Sequence, residues 1–316
     1  MIYPIRNIVA GIATLHEPDP LLAPALDVAV RTGAVLHLVH AFQPPDLFFV
    51  REGYAPMAVM DPRALEDHAN ALRTLLQARV HAVTATDRVR CEVIAGPSAP
   101  MILEAAVREK ADLIIVGATR HGTVARAILG TTAQRVLREA PAPVLVLGGS
   151  LAEHLQRALL TTDLSEFSAG IHEAGLDVVE SLFSGDEPEL RSLHVVREGG
   201  GVPFPLDHAL VDKVARQGLS TFLRQRRHRT RPVEPVLRYG DPASEIAAEA
   251  AEWKADLLVV GTHGRKAPER WFLGSVAEAS IRGASGNVLV IPARIEEQRT
   301  LPVALSDAHP AARPSA

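Results

Sequence analysis

The segment Lys110-Ala-Asp-Leu-Ile-Ile-Val-Gly117 returns 144 residues later as Lys254-Ala-Asp-Leu-Leu-Val-Val-Gly261. A long-range echo of this kind makes the chain two copies of one unit rather than a single large fold. Its 316 residues exceed one average domain, for which about 150 residues is the ordinary size. Core positions recur with the motif: Ile102 and Ala106 align with Ile246 and Ala250, an i,i+4 pair on one helix face.

Short β-rich runs alternate with longer helical stretches in both copies. The first copy offers strands at Ile8 to Ile12, Val35 to Val39, Val89 to Ile94, Leu113 to Val116 and Val144 to Leu147. The second offers them at Ala158 to Thr162, Ser192 to Val196, Val233 to Leu237, Leu257 to Val260 and Val288 to Ile291. Runs such as Leu-Ile-Ile-Val lack polar alternation, which means strands covered on both faces, as in a parallel sheet between helix layers. Each copy is therefore expected to be an α/β, doubly wound domain. The expected division is 1–150, 151–293 and a disordered tail at 294–316 rich in Pro and Ala, with Gly148-Gly-Ser150 as a short hinge between closely packed domains.

A hydrophobic share of 47% and a net charge of −4 give each half enough apolar side chains for a core and no bias toward a polyanion or membrane. The N-terminus, Met1-Ile-Tyr-Pro, lacks the tripartite pattern of a signal peptide, and no apolar run approaches the roughly 20 residues of a membrane span. A cytoplasmic protein is expected. The lone Cys91 sits in a strand and reads as a structural thiol. His37 and His40, three apart on a strand, point to opposite faces and do not pair as metal ligands; no metal site is expected. The run Arg224 to Arg231 has no interleaved aromatics and reads as a solvated helix end, not a nucleic-acid footprint. The apolar stretch Phe42 to Met60 reads as core packing, with a cover over the first copy's cleft or an interface as the alternatives.

Ligands of an open parallel sheet bind beyond the carboxyl ends of the strands, where strand order reverses. In the second copy the loop after the fourth strand reads Gly261-Thr-His-Gly264, nine residues, then Gly274-Ser275 and a helical stretch from Val276. Glycines let backbone approach an anion closely, and Ser275 is placed to cap a helix whose N-terminus favours phosphate. Glycines in such loops also serve plain turns, so the weight rests on the whole spacing.

That spacing resembles the universal stress protein family, whose ATP-binding members carry it. The resemblance covers roughly residues 5 to 148 and 155 to 292. It extends to Leu159-Leu-Thr-Thr-Asp163-Leu-Ser165, Leu193-His-Val-Val196 and Gly240-Asp-Pro242. It implies a five-stranded parallel sheet in each copy, order 3-2-1-4-5, Rossmann-like and of the adenine nucleotide alpha hydrolase kind. It further implies adenosine contacts from Thr162, Asp163 and Val195, and phosphate contacts around Gly261, His263, Gly264, Arg265, Gly274, Ser275 and Val276, with ATP and Mg2+ as the bound species. Pairing of the two fifth strands within one chain, a pseudo-dimer, is implied as well; pairing of two chains stays open.

The first copy departs from this pattern. Arg120 replaces the second glycine, and Ala13 stands where the Asp is expected, which marks a degenerate site. The alternative is that Arg120 serves a differently placed anion. His263 reads as a phosphate hydrogen-bonder rather than a base. No nucleophile elbow or carboxylate pair is visible, so no catalytic residue is assigned. The expected function is a nucleotide-occupied signalling module meeting an unidentified protein partner. A slow ATPase or nucleotide-dependent transferase, and a scaffold that binds no nucleotide, are the alternatives.

Overall fold

The computed structural model describes residues 3–15, 19–43, 62–118, 129–148, 156–183, 187–197, 208–224, 231–262, 273–284 and 286–293. The first copy runs β1 (Asn7–Ile12), α1 (Leu22–Thr32), β2 (Val35–Phe42), α2 (Pro62–Val83), β3 (Val89–Ala95), α3 (Ser98–Arg108), β4 (Leu113–Gly117), α4 (Thr131–Glu139) and β5 (Val144–Leu147). The second repeats it as β6 (Arg157–Thr162), α5 (Glu166–Leu182), β7 (Glu189–Val196), α6 (His208–Arg224), β8 (Val233–Tyr239), α7 (Pro242–Glu252), β9 (Leu257–Gly261), α8 (Ser275–Gly283) and β10 (Asn287–Ile291). All ten strands stand where the apolar runs place them, β5 with the same bounds and the other nine extended by one to three residues.

The strands form one sheet of order β3-β2-β1-β4-β5-β10-β9-β6-β7-β8. Each copy keeps the 3-2-1-4-5 order with parallel pairing. The copies join where β5 and β10 pair antiparallel, Val288 opposite Val146 and Val290 opposite Val144. Gly148 N donates to Asn287 Oδ1 across this junction at 3.1 Å. Side chains alternate there, so Leu145, Leu147, Leu289 and Ile291 enter one apolar layer and Val144, Val146, Val288 and Val290 the other. Both layers span both copies, because the antiparallel seam leaves no polar break between them.

The repeated motif is a structural joint. Lys110 and Lys254 adopt left-handed backbone, φ 50° and 56°. In each copy the next residue donates back to the helix: Ala111 N to Ala106 O and Ala255 N to Ala250 O, both 2.8 Å, in the pattern of a Schellman turn. The Asp then grips the start of the first strand. Asp112 Oδ2 accepts from Arg6 N (2.8 Å) and Asn7 N (2.9 Å), and Asp256 Oδ2 accepts from Gln156 N (2.8 Å) and Arg157 N (2.9 Å). Asp256→Ala removes two bonds to a charged acceptor and is expected to cost about 2–3 kcal/mol, read from the urea midpoint. An unchanged midpoint would refute this joint.

Helix α5 lies close to the sheet at Gly175, where a Cβ would stand 2.8 Å from Val259 Cγ1. Valine is stiff at χ1 and cannot move aside without repacking. Gly175→Ala is therefore expected to destabilise by about 1–3 kcal/mol, checked by thermal unfolding. Cys91 is half-buried, and burial pushes its thiol up to about 11. Alkylation at pH 8 should be at least about tenfold slower than that of a free thiol, speeding up as pH nears the thiol's own range; an ordinary rate at pH 8 would contradict the burial.

Candidate functional site

Strand order reverses between β6 and β9, which pair in parallel from Ala158 opposite Leu257 to Leu160 opposite Val259. On its other side β6 pairs with β7, Thr162 opposite His194. Asp163, Val195 and Gly261 thus emerge at the carboxyl ends of three adjacent strands. His263, Gly264 and Arg265 lie outside the described residues, as do Arg120, residues 44–61, 225–230 and 294–316.

The turn after β6 is built from its own side chains. Leu164 N donates to Thr162 Oγ1 (3.1 Å), and Ser165 N donates to Asp163 Oδ1 (2.9 Å), with Ser165 Oγ donating to the same oxygen at 2.5 Å. Between them Leu164 is held at φ 60°, a conformation that costs a non-glycine residue about 1–2 kcal/mol. Such strain persists only where surroundings over-determine it. The Thr162 hydroxyl is turned inward, 2.6 Å from Ser168 Oγ, and the residue is 8% exposed. Its side chain therefore supports the turn, whereas Asp163 occupies the strand end itself.

Helix N-termini in this copy are not alike. Ser165 caps α5 by accepting from Ser168 N at 3.1 Å, and Asp241 caps α7 by accepting from Ser244 N at 3.1 Å. Helix α8 has Gly274 at its cap position and no side-chain cap. This corrects the expectation that Ser275 caps it: Ser275 is the first helical residue, because Gly274 N donates to Thr262 O at 2.8 Å and fixes the glycine as the last extended residue. A Cβ on Gly274 would stand 3.1 Å from that same carbonyl oxygen. The N–H groups of a helix's first turn have no acceptor within the helix, and Gly274, which opens α8, is tied to Thr262 just beyond β9. Glu278, in that first turn, directs its carboxylate to Arg282 at 2.5 Å. Val195 and Val276 are partly buried against the same apolar layer.

The first copy fills the corresponding strand end differently. Asp19 is 9% exposed, and its Oδ2 accepts from Ala13 N (2.8 Å) and Thr14 N (3.1 Å) while Oδ1 accepts from Leu21 N (2.8 Å). An internal carboxylate thus occupies the turn that lacks the strand-end Asp. Asp19 escaped the sequence reading because it lies six residues past Ala13, beyond the strand end where a carboxylate was sought. One device is common to both copies: His40 Nδ1 meets Ile12 O at 3.0 Å and His194 Nδ1 meets Thr162 O at 2.9 Å. These carbonyls can only accept, so both Nδ1 atoms carry the proton. His37 is buried, which pushes its pKa below the usual imidazole range against the pull of Glu109.

Two surface grooves, of about 340 and 650 Å³, open at the amino ends of the first copy's strands, around Gly33, Arg88 and Asn7. They are remote from the chemistry at the carboxyl ends. Among the described residues no three His, Cys, Asp or Glu side chains gather as a metal cluster, and no helix is long and apolar enough to cross a membrane.

A family profile described as the universal stress protein family matches residues 4–148 and 155–292. A universal stress protein of Mycobacterium tuberculosis (strain H37Rv) is 26% identical over 288 residues, 85% of this chain and 93% of the relative. One from Mycolicibacterium smegmatis is 26% identical over 299 residues, 91% and 97% of the two chains. Among solved structures, a universal stress protein from Archaeoglobus fulgidus superposes with a TM-score of 0.63 at 18% identity, covering 90% of this chain and 98% of that one, a likeness of fold. With the profile matching both copies in tandem, the chain belongs to the universal stress protein family.

Proposed function

We propose that the second copy binds ATP with Mg2+, and that occupancy regulates how this protein, in the cytoplasm, meets a protein partner. The observation that carries this reading is the α8 N-terminus, which starts at glycine with no side-chain cap and is tied to Thr262, beside the strand end bearing Asp163. An uncapped N-terminus with its positive dipole end favours a phosphate, and Val195 and Val276 offer an apolar floor to an adenine ring. Asp163 holds Ser165 through one carboxylate oxygen and would orient the adenosine part. The residues fit a nucleotide whose phosphates lie at α8; Mg2+ would neutralise part of the polyphosphate charge. Binding rather than turnover is the reading, since the Ser165 hydroxyl is spent on holding the turn and capping α5.

The test is mass spectrometry of nucleotide released from the purified full chain, before and after incubation with millimolar ATP and Mg2+. About one adenine nucleotide per chain is expected. Recovery of none under either condition would overturn the proposal.

A further inference from the structure

Residue 262 sits between the anion-binding elements and the strand that joins the copies. Thr262 is 4% exposed, and its three polar atoms tie it to the start of α8 and to the end of β10. Its carbonyl accepts from Gly274 N at 2.8 Å, which sets the start of α8. Its N–H donates to Ile291 O at 3.0 Å, and its hydroxyl oxygen accepts from Ala293 N at 3.1 Å, just beyond β10. The other end of β10 is anchored in the first copy, through Asn287 Oδ1 and Gly148 N. Strand β10 is thus held at one end by the candidate site and at the other by the neighbouring copy.

The first copy supplies an internal comparison. Ala118 occupies the position equivalent to Thr262, and Ala118 N donates to Leu147 O at 2.9 Å, so the backbone bond is kept. An alanine has no hydroxyl to hold the chain beyond β5. The side-chain link therefore exists in the copy that carries Asp163 and is missing from the first copy, although α4 there also starts at a glycine, Gly130, with no side-chain cap.

We infer that Thr262 is a positioning residue whose hydroxyl locks the end of β10 to the first turn of α8, so that an anion held at that turn is felt on the strand joining the two copies. The lock is a property of the folded chain; its response to ligand rests on the nucleotide reading above. A buried hydrogen bond that is lost leaves the Ala293 N–H without its acceptor, and local opening there then requires less free energy. Because Gly274 and Ala293 hang on the same residue, release of one is expected to loosen the other.

Hydrogen exchange on the full chain tests this with Thr262→Val, which keeps shape and removes the hydroxyl, and Thr262→Ser, which keeps the hydroxyl. In the absence of nucleotide, Thr262→Val is expected to speed amide exchange by about fivefold or more at Ala293 and also at Gly274 and Glu278, whose N–H groups are bonded to Thr262 O and Gly274 O. Thr262→Ser should stay within about twofold of the natural chain. Saturating ATP with Mg2+ should slow exchange over Ile291 to Ala293 in the natural chain and in Thr262→Ser, but not in Thr262→Val. Unchanged exchange at Ala293 in Thr262→Val, a change there that leaves α8 untouched, or failure of Thr262→Ser to rescue would each overturn the lock. A chain that binds nucleotide, measured separately by dialysis, without any response over Ile291 to Ala293 would overturn the coupling. A chain that binds none removes the nucleotide reading, while the comparison without ligand still decides the lock.

Discussion

Asp163→Ala is expected to weaken binding of ATP with Mg2+ by about 10- to 100-fold, the worth of one to two charge-assisted hydrogen bonds. Asp163 stands at the carboxyl end of β6, at the point where strand order reverses. Asp163→Asn separates turn from charge. It keeps an acceptor for Ser165 N, so melting should remain near native while affinity falls. Gly274→Val should act from the other side, because a Cβ there already meets Thr262 O at 3.1 Å and a branched side chain would cover the first turn of α8. Asp19→Asn, in the first copy, should leave affinity unchanged. Isothermal titration distinguishes these outcomes; equal affinity in the Asp163→Ala and natural chains would remove Asp163 from the site.

The second large effect concerns the seam. Leu289 is fully buried at the centre of β10, opposite Leu145, in an apolar layer shared by both copies. Leu289→Ala should cost about 2–5 kcal/mol, and Leu289→Asp more, since its carboxylate would be buried without a partner. The consequence should reach both copies. With one continuous sheet and two shared layers, the first copy's β1 and β2 are expected to lose exchange protection together with β6 and β9. Loss confined to the second copy would mean that the seam carries little stability.

Much of this architecture could be read from residues alone, for identifiable reasons. Unbroken apolar runs such as Leu113 to Val116 and Leu257 to Val260 have no other use than a strand covered on both faces, and the 144-residue register fixed their equivalence. The merging of two sheets into one was less legible. Val144-Leu-Val-Leu147 has the same composition whether its free edge meets solvent helices or another strand, so pairing partner and direction leave no trace in it. At the candidate site, glycine spacing and Asp163 pointed to the carboxyl ends of β6 and β9, whereas side-chain bonds to distant backbone did not show. Asp19 reaches back six residues to Ala13, His194 reaches across to Thr162 O, and Thr262 reaches Ala293 thirty-one residues on. None of these follows a period, since each depends on which loop ends the fold brings together. The Ser275 cap was misplaced by one residue for a related reason: Thr262 O fixes Gly274, and that contact is tertiary.

Nucleotide binding is proposed for the second copy and not the first. Photolabelling the full chain with an azido-adenine analogue of ATP, followed by peptide mapping, measures that directly. The predicted result is label on peptides spanning residues 157–197 or 255–291, at no more than one per chain and competed away by ATP with Mg2+. Label on residues 7–15 or 113–131 at comparable yield, or two labels per chain, would contradict it.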